Sequence, residues 1–350
     1  MATLSFNNVG MTAIAACVPS RVVRNTELTD IMDETSISNL IKGTGIERRH
    51  IADKDVCTSD LCYKAAKKLM EDNNIALESI DILIFSTLTP DFINPPTAPI
   101  LQHRLGLPAT TACFDLSFAC AGFIYALSTA YSMVSNENIN RALVLVGETS
   151  SKFTNTKDKV NWPLYGDAGT ACLVEKGDFG VSHFSLTSDG SGSESVMVPY
   201  GGFRNPVTAD SLIDKEREDG NFRRDIDIYM DGMETFNHAI RVIPKQIKNL
   251  FSELNINGDD VDYLVSHQAN KLMIEFILKK LKVDVSKAPF CLEEYGNTGS
   301  ASIPLTICSR MFDKLNGQKH LLFSAIGAGW SFGTAYLNTK DLRVSPVFEY

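Results

Sequence analysis

No stretch of this chain is apolar over the ~18 residues that a bilayer-spanning helix requires, so an integral membrane protein is not expected. Proline- or serine-rich stretches and low-complexity tracts that would mark a linker are also missing. Basic charge is in short supply. With 33 Lys and Arg against 42 Asp and Glu, the formal net charge is −9. That disfavours general nucleic-acid binding, which needs a basic surface to displace counterions, but leaves room for a local basic patch. No G-x-x-x-x-G-K-[ST] loop is present, and none of the six histidines lies in an H-x-x-x-H or H-E-x-x-H arrangement. Neither a nucleotide nor a metal cofactor is therefore indicated. Gly327-Ala-Gly329 superficially suggests a dinucleotide fingerprint, but too few residues follow it for a βαβ unit. The eight cysteines include no C-x-x-C pair and no regular spacing, so free thiols in a reducing cytoplasm are the simpler expectation. Residues 11–18 are apolar without a basic segment before them, and read as a first strand rather than a signal peptide.

What is present is an α/β pattern. With 350 residues and 44% hydrophobic content, the chain can bury a sizeable core. Strand-like runs at 82–86, 142–147, 171–175, 263–266 and 321–325 alternate with helical periodicity at 59–71, 99–105, 122–134, 235–254, 271–281 and 302–313. This predicts a layered α/β protein with helices covering the sheets. Both halves end on a helix, a strand and a glycine-rich turn, at 166–169 and 327–333, a hint of duplication that divides the chain at 177–180 into 1–178 and 179–350. Residues 188–228 differ. They contain Gly190, Gly192, Gly201, Gly202, Pro199 and Pro206, carry the charged stretch Asp214-Lys-Glu-Arg-Glu-Asp219, and read as an irregular, partly solvated excursion.

Three polar residues stand where α/β proteins place their chemistry, at element ends. Cys120, in Asp115-Leu-Ser-Phe-Ala-Cys-Ala-Gly122, falls between a short strand and an apolar helix, where unpaired N–H groups and the helix dipole favour a thiolate. His267 lies at the carboxyl end of the strand in Val261-Asp-Tyr-Leu-Val-Ser-His-Gln-Ala-Asn270. Asn297 occupies the glycine-flanked loop Glu294-Tyr-Gly-Asn-Thr-Gly-Ser. Cysteine with a separated histidine and asparagine can form a thiol catalytic set. As bare residue types the three carry little weight, since an isolated cysteine in a core helix is more often a small buried hydrophobe. His50 and His103 sit beside arginines and read as structural.

The wording of the motifs is more specific. Asp115 to Gly122, His267-Gln-Ala-Asn270, Gly296-Asn297-Thr298 and Gly327-Ala-Gly329, with Thr44-Gly45-Ile46-Glu-Arg-Arg-His-Ile51 and Tyr165-Gly166-Asp167-Ala168-Gly169, resemble the ketoacyl-acyl-carrier-protein synthase III family of the thiolase superfamily, in that family's order and over nearly the whole chain. The resemblance implies a five-layered αβαβα sandwich built from two duplicated halves, the first carrying the cysteine and the second the histidine and asparagine. It implies acyl transfer to Cys120, then decarboxylative Claisen condensation with malonyl-ACP to a 3-oxoacyl-ACP, as in fatty-acid biosynthesis. His267 and Asn297 would serve the decarboxylation, and the backbone N–H groups of Cys120 and Ala328 the oxyanion. Substrate-binding positions by the same resemblance are Asn270, Phe236, Met233, Asn94, Ile326 and Gly329. Substrates would be acyl-CoA or acyl-ACP and malonyl-ACP, with no further cofactor. An acidic acyl carrier protein would dock on positive residues, for which Lys271, Lys279, Lys280 and Lys282 are candidates. A homodimer is implied, its 91–99 loop reaching the neighbouring site. The 188–228 excursion would border the substrate tunnel.

Departures from the family pattern limit the substrate assignment. Asn39 and Gly43 stand where members that prime with short acyl-CoA have a tryptophan and an arginine on the adenine, and stacking and cationic contacts are lost. Asn94 and Ile326 replace phenylalanines, and Met233 an asparagine. A longer or carrier-bound acyl donor becomes plausible. Two alternatives stay open: a related Cys-dependent acyltransferase that acylates a non-malonyl acceptor in secondary metabolism, and a non-catalytic subunit of a condensing heterodimer, which the presence of Cys120 disfavours.

Overall fold

The computed structural model describes residues 2–350. Two mixed sheets form its frame. The first runs in the order β17 (Arg343–Val344), β2 (Val9–Val18), β8 (Ala168–Lys176), β7 (Arg141–Glu148), β5 (Ile82–Ser86) and β6 (Ala112–Leu116), with β18 (Phe348–Glu349) also on β2. The second runs β1 (Ala2–Phe6), β9 (Ser182–Ser188), β16 (Ser331–Lys340), β15 (Gln318–Gly327) and β14 (Tyr263–Ser266). Four strands of each sheet follow one plan. In the first, β2 is antiparallel to β8, β8 antiparallel to β7, and β7 parallel to β5; β9, β16, β15 and β14 repeat those directions in the second. The chain ends cross over, β1 joining the second sheet and β17 and β18 the first.

Both faces of the first sheet are buried, which is why its strands are almost continuously apolar. Ile14, Ile84, Val144 and Val146 point to one face, and Ala13, Ala15, Leu83, Phe85, Leu143 and Leu145 to the other, the period-two alternation of a strand. Helices α4 (Gly122–Val134) and α8 (Ser302–Arg310) fill the space between the sheets. A helix held between two sheets must be apolar nearly all round, and α4 is, with Phe123, Ile124, Leu127, Tyr131 and Val134 all buried. Phe123 meets Phe323 of β15 with ring centroids 5.9 Å apart, and truncating such a ring to alanine costs about 3–5 kcal/mol. Outside the first sheet lie α2 (Thr58–Asp72) and α3 (Thr97–Leu105). Outside the second lie α5 (Gly232–Leu254) and α6 (Lys271–Leu281). The result is the five-layered αβαβα sandwich. Smaller pieces, α1 (Glu34–Thr44), the pair β3 (Val22–Arg24) with β4 (Arg48–His50), and α7 (Leu292–Tyr295), surround the site.

Two expectations need correction. The 166–169 turn is confined to Gly166 and Asp167, because Ala168 and Gly169 already pair in β8; the repeated feature is an antiparallel strand pair, β7–β8 and β15–β16. The helix expected over 302–313 stops at Arg310, where Met311 takes a φ of −132° and turns into the core. The 188–228 excursion is irregular but tied down. It contributes the pair β11 (Lys215–Glu216) with β12 (Phe222–Arg223), and β10 (Val196–Met197), which pairs with β13 (Tyr229–Met230) just beyond it. Arg223 is buried against Asp158 at 3.2 Å and Asp219 at 2.6 Å.

Candidate active site

Cys120 stands two residues ahead of α4, and the segment leading to it is held from below. Asp115 on β6 accepts the N–H groups of Thr97 and Ala98 at 2.6 and 2.7 Å, so one carboxylate ties the strand to the first turn of α3. The turn after β15 closes from the other half. A β-carbon on Gly327 would lie 3.1 Å from the Ala121 nitrogen and 3.2 Å from the Cys120 nitrogen. A side chain at 327 would crowd the Cys120 backbone, and glycine avoids that contact; Cys120 and Ala328 both line a cavity of about 90 Å³. Cys120, His267, Asn297 and Glu148 share that cavity, and its remaining wall is largely apolar, including Phe153, Met273, Ile326 and Trp330. Val196, Ile228 and Met230 also line it, so residues in and just beyond the 188–228 excursion help to cap the cavity.

Hydrogen bonds set the donors. His267 is buried, follows β14, and has Nδ1 2.7 Å from Ser302 Oγ at the start of α8. With Ser302 donating, the ring proton resides on Nε2. Burial pushes the His267 pKa down to about 4, partly offset by the Gly299 backbone, so the imidazole is neutral at ordinary pH. Asn297 is fixed at three points: its N–H donates to the Leu164 carbonyl at 2.8 Å, its carbonyl accepts from Gly166 N–H at 3.1 Å, and its Oδ1 accepts from Gly299 N–H at 3.0 Å. With Oδ1 engaged, the Nδ2 group is the end left to donate.

The thiol behaves differently from expectation. A helix N-terminus alone would favour the thiolate, but the half-buried Cys120 has its thiol pushed up to about 12, first by desolvation and then by the Glu148 charge, with only a backbone hydrogen bond acting the other way. Exclusion of water outweighs the helix dipole here.

The other expected site residues divide. Ile326 and Ala328 are on the cavity wall. Gly329 is in the same turn, at φ +69°, but is not on the wall. Asn270 caps α6, its side chain accepting the Met273 N–H at 3.2 Å. Phe236 packs against the outer core of the second sheet. Met233, on the first turn of α5, and Asn94, on the loop after β5, are exposed and do not touch the cavity of their own chain. Lys271, Lys279, Lys280 and Lys282 are exposed along α6 and just beyond it.

Sequence reasoning passed over two groups. Ser302, which orients His267, carries no signal in its own neighbourhood. Glu148 does carry one: it is a lone acid closing the apolar run Arg141-Ala-Leu-Val-Leu-Val-Gly-Glu, and it is buried. Arg49, also buried, supports the site from outside. It donates to the Trp162 carbonyl and, at 3.3 Å, to the Tyr165 carbonyl, beside the Gly166 that binds Asn297.

Comparison with known proteins matches nearly the whole chain. Residues 114–190 match the model of 3-oxoacyl-[acyl-carrier-protein (ACP)] synthase III, and residues 251–339 that of its C-terminal part. A beta-ketoacyl-[acyl-carrier-protein] synthase III of Streptococcus pneumoniae is 37% identical over 330 residues, 93% of this chain and 97% of the relative. The protein of the same name from Desulfitobacterium hafniense is 34% identical over 332 residues, 94% and 97% of the two chains. A crystal structure of 3-oxoacyl-(acyl-carrier protein) synthase from Burkholderia xenovorans superposes with a TM-score of 0.93 at 32% identity, covering 100% of this chain and 99% of that one.

Proposed function

The chain belongs to the 3-oxoacyl-[acyl-carrier-protein] synthase III family, and from that premise we propose that it condenses an acyl group held on Cys120 with malonyl-ACP, releasing carbon dioxide and a 3-oxoacyl-ACP. It is a condensing acyltransferase of the fatty-acid-biosynthesis class. In the first half-reaction Cys120 Sγ attacks the donor thioester carbonyl. The N–H groups of Cys120 and Ala328 donate to the oxyanion, and the leaving sulfur departs with the proton that Cys120 gives up. Malonyl thioester follows. Its carbon–carboxylate bond breaks, the electron pair moves into an enolate, and the enolate oxygen accepts hydrogen bonds from His267 Nε2 and Asn297 Nδ2. The enolate carbon then attacks acyl-Cys120, the new carbon–carbon bond forms, and the sulfur leaves as a thiolate that takes a proton from solvent.

The observation that carries this reading is the pair of fixed neutral donors. Ser302 occupies one nitrogen of His267, Gly299 occupies the oxygen of Asn297, and His267 is held neutral. Neutral donors stabilise an enolate oxygen without protonating the carbanion. The proposed chemistry needs only thioester substrates. Docking of an acidic carrier protein is assigned to the exposed lysines of α6, and a dimer to the apolar 91–99 loop, where Phe92 and Ile93 are exposed. The test is to supply acyl thioesters and malonyl-ACP and to follow products by mass. Acyl-dependent carbon dioxide release with 3-oxoacyl-ACP is expected. Transfer of the acyl group to another acceptor without carbon dioxide would overturn the reading.

A further inference from the structure

Glu148 is the one carboxyl on the cavity wall and has no part in the chemistry above. It closes β7, and its partners come from two other segments. The Leu88 N–H, in the turn after β5, donates to both carboxyl oxygens at 3.2 Å, and the hydroxyls of Thr89 and Thr87 approach Oε2 at 3.3 and 3.4 Å. From the other half, Ser300 Oγ donates to Oε1 at 3.0 Å. Gly299, at φ +57°, packs on the same side chain so closely that a β-carbon there would lie 2.6 Å from Glu148 Cγ. Gly299 and Ser300 directly follow Asn297, and the Gly299 N–H orients the Asn297 amide. The carboxyl is therefore a bolt between the catalytic asparagine loop and the first half.

All of these partners are neutral, so nothing balances a negative charge. The ionisable groups that feel Glu148 are Cys120 on the cavity wall and Cys62 from α2; Tyr165 and His267 line the same cavity. Asp91, the other carboxyl that acts on Cys62, is bonded to Ser59. The charged species that the proposed reaction forms in this cavity are anions: the tetrahedral oxyanion, the enolate and the departing thiolate. We propose that Glu148 is a positioning residue of this site, joining the 297–300 loop to the turn after β5, and that it works in its uncharged form. Desolvation pushes its carboxyl up to about 8, against the hydrogen bonds that pull it down, which keeps the proton on near neutrality. Ionisation above that pH places a charge beside Cys120 that opposes the thiolate.

The charge argument rests on the condensation proposed above, whereas its first test does not. Alkylation of Cys120 by iodoacetamide needs no substrate. In Glu148→Gln the alkylation rate at pH 8.5 should rise about tenfold over the wild type, one unit in the apparent titration, while Glu148→Asp, which keeps the charge, should not show the rise. In pre-acylated enzyme, condensation with malonyl-ACP should fall as pH rises through about 8 in the wild type and in Glu148→Asp, and the fall should vanish in Glu148→Gln. An unchanged alkylation profile in Glu148→Gln overturns the proposal whatever the substrate is, and so does an alkaline fall that persists in that variant.

Discussion

The two sheets share a strand plan and divide the chemistry. After β5 the first half presents Thr87 and Leu88, and after the corresponding β14 the second presents His267. Ahead of the central helix α4 stands Cys120, and ahead of the central helix α8 stands the 297–301 segment with Asn297. Where β7 ends on Glu148 and returns to β8 only after residues 149–167, β15 ends on Gly327 and returns to β16 through Ala328–Trp330. A duplicated frame thus brings equivalent strand ends to one cavity, and under the proposed function the side chains at those ends decide which half supplies the nucleophile and which the donors. The long return in the first half builds wall, including Phe153 and Tyr165; the tight return in the second packs Gly327 against the Cys120 backbone and puts Ala328 on the same cavity wall.

Removing the first half's contribution should have the largest effect. Cys120→Ala is expected to lower acyl transfer by at least about 10³-fold while leaving the fold intact, because no other residue is placed as nucleophile. Intact mass checks this, and covalent acylation of the variant at another residue would refute the assignment. Next come the second half's donors. Alanine at His267 or Asn297 should slow malonyl decarboxylation by roughly 10²-fold, with Cys120 acylation surviving better in Asn297→Ala. Equal loss of both half-reactions in that variant would erase the division between the halves.

The pH response separates the halves further. Because the folded protein lowers His267 from 6.5 to about 4, decarboxylation by pre-acylated enzyme should hold its rate as pH falls through 6.5 and fail only near 4. The folded pKa is the lower one, so this group's contribution to stability is complete above 6.5 and is lost as pH falls toward 4. A rate that halves near 6.5 would show an imidazole that protonates freely. The smallest effect concerns a second copy of the chain. Asn94 is exposed and remote from its own cavity, so Asn94→Phe should shorten the preferred acyl chain a few-fold through a neighbouring subunit, leaving decarboxylation unaffected. A monodisperse monomer with full activity, or an unchanged acyl profile, would remove the dimer from the account.

Much of this arrangement is legible in the sequence, for reasons that differ between elements. Helices α4 and α6 start and end where their apolar periodicity predicts, at Gly122 and Val134 and at Lys271 and Leu281, and β5 and β14 likewise coincide with their apolar runs. The ends of those elements locate Cys120 and His267 directly. Contacts made far along the chain are what local pattern cannot supply. Ser302 on His267, Glu148 on Ser300 and Arg49 on the 162–165 segment are each set by how the two halves pack. The sign of the Cys120 shift belongs to the same class, since the helix N-terminus is local whereas the burial of the thiol and the Glu148 charge arise from tertiary packing. Asn270 has a local role as well: its side chain caps the helix beside it.

A two-step mass experiment on wild type and Asn297→Ala bears most directly on the division of labour between the halves. Each protein is first exposed to an acyl thioester, freed of donor, and then given malonyl-ACP. Both should gain one acyl mass on Cys120; the wild type should then lose it with release of carbon dioxide and 3-oxoacyl-ACP, while the variant keeps it. Discharge of the acyl group at the same rate in both proteins, or failure of Asn297→Ala to acylate at all, would contradict a nucleophile from one half working with enolate donors from the other.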